Sequence, residues 1–84
     1  MLNESLFARL VRRELERARE KHPPQHNLHE GVAILFEELC EFWDEVRKQT
    51  GERKDEAVLK ELVQVSAMAQ RCAEDCGLVA GGGS

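Results

Sequence analysis

Residues 35–46, LFEELCEFWDEV, combine large apolar side chains with five carboxylates, and no glycine or proline interrupts them. At about 100° per residue, a helix would place the apolar and the acidic side chains on opposite arcs. Together with the preceding turn, the apolar arc contains Val32, Leu35, Leu39, Phe42, Trp43 and Val46. The acidic arc contains Glu37, Glu38, Glu41, Asp44 and Glu45. The stretch therefore predicts a helix with one apolar face and one acidic face.

The composition of the whole chain favours an all-α fold. One-third of the residues are charged, tyrosine is absent and proline occurs twice, and no segment shows the alternation typical of a strand. A chain of 84 residues buries a smaller fraction of its surface than a larger domain, so a self-sufficient monomer is marginal. We therefore predict a three-helix subunit that self-associates into an oligomeric helix bundle.

Helical segments joined by two short connections account for most of the sequence. The first segment runs from about Asn3 to about Arg19, with apolar residues at helical spacing, and ends before two prolines. The second begins at Asn27, a predicted N-cap with Glu30 as its reciprocal partner. It continues to about Gln49.

Glycines follow the second and third helices. Gly51 and Gly77 each stand where a left-handed residue commonly ends a helix, and the third helix is predicted from near Asp55 to about Cys76. The predicted organisation is one helical domain at residues 1–77 and a flexible tail at residues 78–84, which ends in GGGS.

The charge and the cysteines restrict the partners and the compartment. A net charge of -4, with clustered acids and scattered bases, argues against a nucleic acid as the partner. No apolar run is long enough for a membrane span, and the first residues contain no signal-peptide core. Cys40, Cys72 and Cys76 show no disulfide framework, and the last two are interpreted as small core residues. We expect a soluble cytoplasmic protein without membrane contact.

The acidic face of the second helix has more than one interpretation. A solvated surface is the ordinary one for a charged helix side. However, Glu37, Glu41 and Glu45 follow one another at i, i+4, a like-charge spacing that destabilises a helix. On the third helix, Glu61 lies at the centre of the apolar face rather than at its edge. These two observations point to a role for the acids beyond solvation.

A carboxylate in the position of Glu61 is costly unless it is paired, protonated or bound to a cation. One explanation is an ion pair with Arg13 or Arg17 of the first helix. The other is that Glu61 faces the acidic arc of the second helix, where the converging carboxylates require a cation such as Mg²⁺ or Mn²⁺. Burial of both faces of the second helix then needs another helix layer, from the first helix or from a second subunit.

The order of these acids resembles a known enzyme signature. The sequence EELCE at residues 37–41, followed by Glu61 on the next long helix, resembles the EExxE and ExxD pattern of MazG-like, all-alpha nucleotide pyrophosphohydrolases. HEG at residues 29–31 and ELVQVSAMAQRCAED at residues 61–75 are similar to short phage- and bacterium-type members. The resemblance covers about residues 20–77.

The resemblance implies a metal-dependent enzyme that hydrolyses a nucleoside triphosphate to a nucleoside monophosphate and pyrophosphate. It implies Mg²⁺ as the cofactor, with Mn²⁺ as an alternative, and a homodimer or homotetramer. The implied catalytic residues are Glu37, Glu38, Glu41 and Glu61. The implied metal ligands are Glu38, Glu41, Glu61, Gln64 and Glu45, with Gln64 in the place of the signature's aspartate.

A function of another class is compatible with the same residues. Gln64 is a poorer metal ligand than aspartate, and the alternative is a non-catalytic helical interaction or nucleotide-sensing module that has lost the metal. Its acidic face would then bind a basic partner. This alternative predicts folding without divalent ions and no nucleotide turnover.

Overall fold

The described residues form helices joined by short connections. The computed structural model describes residues 4–48, 51 and 54–80. The helices are α1 at Leu6–Lys21, α2 at Leu28–Val46 and α3 at Asp55–Asp75. Regular structure in these residues is helical, which confirms the predicted all-α class. The helix limits predicted at Asn3 and Gln49 lie outside the described residues.

α3 is the central helix, because α1 and α2 each pack against it but, within the described chain, not against each other. Arg19 at the end of α1 is paired with Asp75 at the end of α3, so these helices run in the same direction. Gly31 at the start of α2 lies against Cys72 near the end of α3, so α2 runs in the opposite direction. The arrangement is therefore up-down-up, with α1 and α2 on different sides of α3.

The core lies mainly between α1 and α3. Its buried side chains are Val11, Leu15, Ala18, Val63, Ala67 and Met68, with Leu10, Ile34 and Leu35 packed against them. No large side chain in the described part of the chain is completely buried. A core of this size gives a small domain little reserve of stability.

Gly31 sets the close approach of α2 to α3. A Cβ atom at this position would collide with the sulfur of Cys72 and lie 3.1 Å from Oε1 of Gln25. Cys72 is buried, as predicted for a small core residue, and Cys76 is half-buried. Any residue larger than glycine here would push apart the two helices that carry the acids.

The ends of α2 agree with the sequence only in part. Asn27 Oδ1 accepts a 2.9 Å hydrogen bond from the N–H of Glu30, as predicted. The Glu30 carboxylate accepts its bond from the N–H of His26, one residue before the expected partner. At the other end, α2 stops at Val46, so the prediction that Gly51 caps it is wrong.

The early end of α2 has a local cause. The N–H of Lys48 bonds to the Glu45 carbonyl at 3.4 Å, three residues back, which tightens the last turn. The side chains of Lys48 and Arg47 also bond back to the acids of that turn. By contrast, Gly77 has a φ of 77° and ends α3 in the left-handed conformation that the sequence predicts.

The linker between α1 and α2, residues 22–27, is fixed over the end of α3. The backbone N–H of Gln25 donates to the Asp75 carboxylate at 2.8 Å. The buried guanidinium of Arg71 donates to the carbonyl oxygen of Pro23. The linker is therefore attached to α3 at two points, rather than lying free on the surface.

Both attachment points belong to one charge network. Asp75, whose side chain is 0% exposed, accepts a 2.7 Å bond from Arg19, and its other oxygen lies 3.6 Å from Nε of Arg71. Glu74 also accepts a bond from Arg19, at 2.6 Å. Burial raises the pKa of Asp75, but the bonds from Arg19 and the linker N–H outweigh it, so the net shift is downward. We call Arg19, Arg71 and Asp75 the arginine network.

The apolar arc of α2 faces α3 only in part, because Leu35 packs against the core while other members of the arc are exposed. Val32, Leu39 and Trp43 are 65%, 52% and 58% exposed, because α2 directs Gly31 and Ile34 toward α3 instead. The exposed apolar α2 face consists of Leu28, Val32, Phe36, Leu39 and Trp43. α1 therefore does not provide the helix layer that burial of both faces of α2 requires.

Candidate metal centre

Three glutamates meet between α2 and α3. One carboxylate oxygen from each of Glu38, Glu41 and Glu61 lies within 4.8 Å of the other two. Glu38 and Glu41 are one turn apart on α2, with Glu38 half-buried and Glu41 exposed, while the half-buried Glu61 approaches from α3. This confirms that Glu61 faces the acidic arc of α2. We call these residues the glutamate triad.

The triad carries more negative charge than its surroundings compensate. Burial, followed by the charges of Glu41 and Glu61, raises the pKa of Glu38 to about 7. Burial and the neighbouring Glu41 also raise the pKa of Glu61, although Lys60 opposes them. The Oε1 atoms of Glu38 and Glu61 are buried and have no hydrogen-bond partner in the described residues. A buried carboxylate oxygen without a partner is costly.

These features fit a divalent cation. Carboxylate oxygens are the ligands that Mg²⁺ and Mn²⁺ prefer, and the two unpartnered buried oxygens of Glu38 and Glu61 are available for such a bond. A cation would also remove the mutual repulsion that raises the pKa of these carboxyl groups. Three carboxylates would leave coordination positions for water or for phosphate oxygens.

The ion pair with Arg13 or Arg17, the first of the two explanations for Glu61, does not form. Arg17 instead makes two hydrogen bonds to Glu14, at 2.6 and 3.0 Å, and no basic side chain among the described residues forms an ion pair with Glu61. Arg13 lines a separate groove between α1 and α3. Of the two explanations for Glu61, the structure retains the one in which carboxylates converge.

The other predicted site residues lie outside the triad. Glu37 is exposed and lines a cavity next to Glu38. Glu45 pairs with Lys48 at 3.0 Å, but it is close enough to contribute to the raised pKa of Glu61. Gln64 is half-buried one turn beyond Glu61 on α3 and lies beside Glu14 of α1. The acidic residues of α2 therefore differ in their contacts and exposure, although all of them lie on one arc of the helix.

Two features were not predicted from the sequence: the contacts of Glu14 and the contacts of the buried Arg71. The pKa of Glu14 is lowered, mainly by its bonds from Arg17 and further by Gln64, and Glu14 also adds to the negative field at Glu38. Arg71 lies in the core between Met68 and Cys72 on α3, a position that signals a buried partner as clearly as that of Glu61. No spacing rule connects Arg71 to the linker residue Pro23, so this contact needed the structure.

Comparisons with protein-family models, with curated proteins and with solved structures gave no match. None of the helices in the described ranges has the length and apolar character needed to cross a membrane.

Proposed function

We propose that this protein is a Mg²⁺-dependent nucleoside triphosphate pyrophosphohydrolase of the MazG-like type. The observation that carries the proposal is the glutamate triad, in which Glu38, Glu41 and Glu61 converge without a compensating base and with unpartnered buried oxygens. The EELCE sequence supplies the reaction class by resemblance. The expected products are a nucleoside monophosphate and pyrophosphate.

Different residues would have different roles in this reaction. Mg²⁺ held by the triad would neutralise phosphate oxygens and make water a better nucleophile. Glu38, Glu41 and Glu61 provide the ligands, while Glu37, exposed beside them, is available to orient the attacking water. Gln64 contributes to the position of Glu14 rather than to the metal.

The direct test is product analysis. The purified protein is incubated with ribo- and deoxyribonucleoside triphosphates, with Mg²⁺ or with EDTA, and the products are separated by chromatography. Monophosphate and pyrophosphate formed only with Mg²⁺ support the proposal. Diphosphate and orthophosphate would show that another bond is cut, and no product from the folded protein would favour the non-catalytic module.

We also propose that the protein is a homo-oligomer whose copies pair through the apolar α2 face. Its five side chains are each at least half exposed. At about 100 Å² for each, judged from the size of large side chains, they would bury roughly 1,000 Å² between two copies, the lower limit of a specific interface. A second copy offers a surface of the same chemistry, as a two-fold interface requires.

Trp43, the only tryptophan, reports on this interface. We expect Trp43→Glu to lower the molecular mass measured by analytical ultracentrifugation to that of one chain. Ala33→Glu places the same charge on the exposed outer side of α2 and should leave the mass unchanged. A wild-type protein that sediments as a monomer at all concentrations would exclude the oligomer without affecting the metal site.

A non-catalytic interaction module remains the alternative, and the exposed apolar α2 face is the observation that favours it. In that case the triad would bind Mg²⁺ weakly or not at all. Thermal melts separate the two functions, because a cation bound by the folded state raises the melting temperature with its concentration.

A further inference from the structure

A cavity of about 320 Å³ lies beneath the linker, between it, α2 and α3. We call it the linker pocket. Its apolar walls are Pro23, Pro24, Ile34 and Met68, and its polar lining includes His22, His26, Glu37 and Glu38. Because the arginine network attaches the linker to α3, one wall of the pocket is held in place before any ligand arrives.

The linker pocket and the glutamate triad adjoin each other through one residue. Glu38 lines the pocket and is also a member of the triad. A molecule held at the triad therefore has the pocket directly beside it. The larger groove between α1 and α3, of about 710 Å³, contains no triad residue in its lining.

We propose that the linker pocket binds the nucleoside end of the nucleotide while the phosphates occupy the triad. The proposal rests on the proposed function and adds the location and orientation of the substrate. At about 320 Å³ the pocket is at the small end of ligand sites, which suits a base and sugar rather than a whole triphosphate.

The chemistry of the lining agrees with this orientation. Pro23, Pro24 and Ile34 offer apolar surface to the faces of a ring. Glu37 and Glu38 repel a phosphate, but their oxygens accept hydrogen bonds from sugar hydroxyls or base N–H groups. Arg71 also lines the pocket, but its guanidinium already donates to the Pro23 carbonyl and lies against Asp75. The glutamates therefore disfavour phosphate in the pocket, and the nucleoside is the end of the nucleotide that enters it.

The histidines provide a test with an internal control. His22 and His26 line the pocket, whereas His29, the third histidine of the chain, does not. Their imidazole signals are followed by NMR while α,β-methylene analogues of ATP, CTP, GTP and UTP are added with Mg²⁺. We expect His22 and His26 to shift and His29 to remain, and we expect inorganic triphosphate with Mg²⁺ to move neither pocket histidine.

A pair of variants tests the same proposal by kinetics. Ile34→Trp fills the pocket and should raise KM for the nucleotide about tenfold or more with a smaller change in kcat, the pattern of lost substrate binding. Ala33→Trp places the same ring on the exposed outer side of α2 and should leave KM unchanged. Inhibition by inorganic triphosphate, which has no nucleoside, should be similar in both variants.

The outcomes distinguish this proposal from the proposed function. Turnover without a response of His22 and His26, or an equal response to inorganic triphosphate, overturns the pocket assignment and leaves the enzyme intact. Pocket shifts without turnover overturn the enzymatic function and keep the nucleotide site. The NMR result decides the matter even if Ile34→Trp fails to fold.

Discussion

Two regions of α3 place charged residues in opposite surroundings. Near its end, the fully buried Asp75 is surrounded by Arg19 and Arg71 and by the linker N–H, which lower its pKa. Near its middle, Glu61 meets Glu38 and Glu41, and burial with like charge raises the pKa of Glu61. One cluster is complete within the chain and the other is not.

This difference distinguishes a structural cluster from a candidate functional one. The arginine network brings opposite charges together and attaches the linker to α3, so its value lies in the folded state itself. The triad accumulates a charge that the described chain does not neutralise, which is a common property of sites that bind a cation or carry out chemistry. Substitutions at the arginine network should therefore affect stability, and substitutions at the triad should affect the proposed activity.

The largest expected effect is the loss of the arginine network. Asp75→Asn leaves the buried guanidinium of Arg71 without its counter-charge, while Arg19 keeps its bond to Glu74, and should lower the free energy of unfolding by about 3–5 kcal/mol. Urea unfolding monitored by circular dichroism measures the change. Glu20→Gln, on the exposed side of α1, is the control and should have almost no effect. A loss below about 1 kcal/mol in Asp75→Asn would show that the network is not a major source of stability.

At the glutamate triad, a substitution should lower activity and should not lower stability. Glu61→Gln removes a metal ligand and should reduce Mg²⁺-dependent turnover by about 100-fold or more, in the range found when a group that stabilises reaction charge is lost. Stability without metal should be equal or higher, because one repulsive carboxylate is gone. Glu16→Gln on α1 is the matched control. Unchanged turnover and unchanged Mg²⁺ stabilisation in Glu61→Gln would contradict the metal site.

The triad should also change how the free energy of unfolding depends on pH. The pKa of Glu38 rises from 4.5 to about 7 on folding, so the folded state binds more protons between these values. Without metal, this group therefore contributes stability at acid pH that is lost as the pH rises through 7. The decline should amount to about 2 kcal/mol, after allowance for solvent screening.

Glu38→Gln isolates this contribution from that of Asp75, whose lowered pKa acts in the opposite direction at acid pH. The difference in stability between wild type and variant should grow between pH 4.5 and 7 and should shrink when Mg²⁺ is added. Denaturant titrations over this range, with and without Mg²⁺, provide the measurement. A difference that does not change with pH would mean that Glu38 ionises normally.

The smallest effect is expected at Gln64. The sequence predicts that Gln64→Asp strengthens metal binding by restoring the signature, but the structure places Gln64 beside Glu14. A carboxylate there should instead repel Glu14 and lower stability by about 0.5–1 kcal/mol at neutral pH. Isothermal titration with Mg²⁺ decides between these expectations, and a tenfold gain in affinity would return position 64 to the metal site.

Local patterns predicted much of the fold. The apolar spacing of each segment, the prolines of the linker, the Asn27 cap and the left-handed Gly77 follow from interactions within a few residues. The predicted end of α2 was wrong because it relied on Gly51. In the structure, the bond from the Lys48 N–H to the Glu45 carbonyl tightens the last turn and ends the helix earlier. Alternative contacts at the end of a helix differ in free energy by only on the order of tenths of a kcal/mol.

The sequence by itself determined that Glu61 occupies an apolar helix face and that EELCE presents acids on one arc, because both facts depend only on the helical period. It left open whether Glu61 meets an arginine or the acids of α2. That choice depends on which helices pack together, and the tertiary structure decided it by placing α2 and α1 on different sides of α3. The same packing leaves the apolar α2 face uncovered and brings the linker beside Glu38, because contacts between distant segments are set by the arrangement of whole helices and not by local spacing.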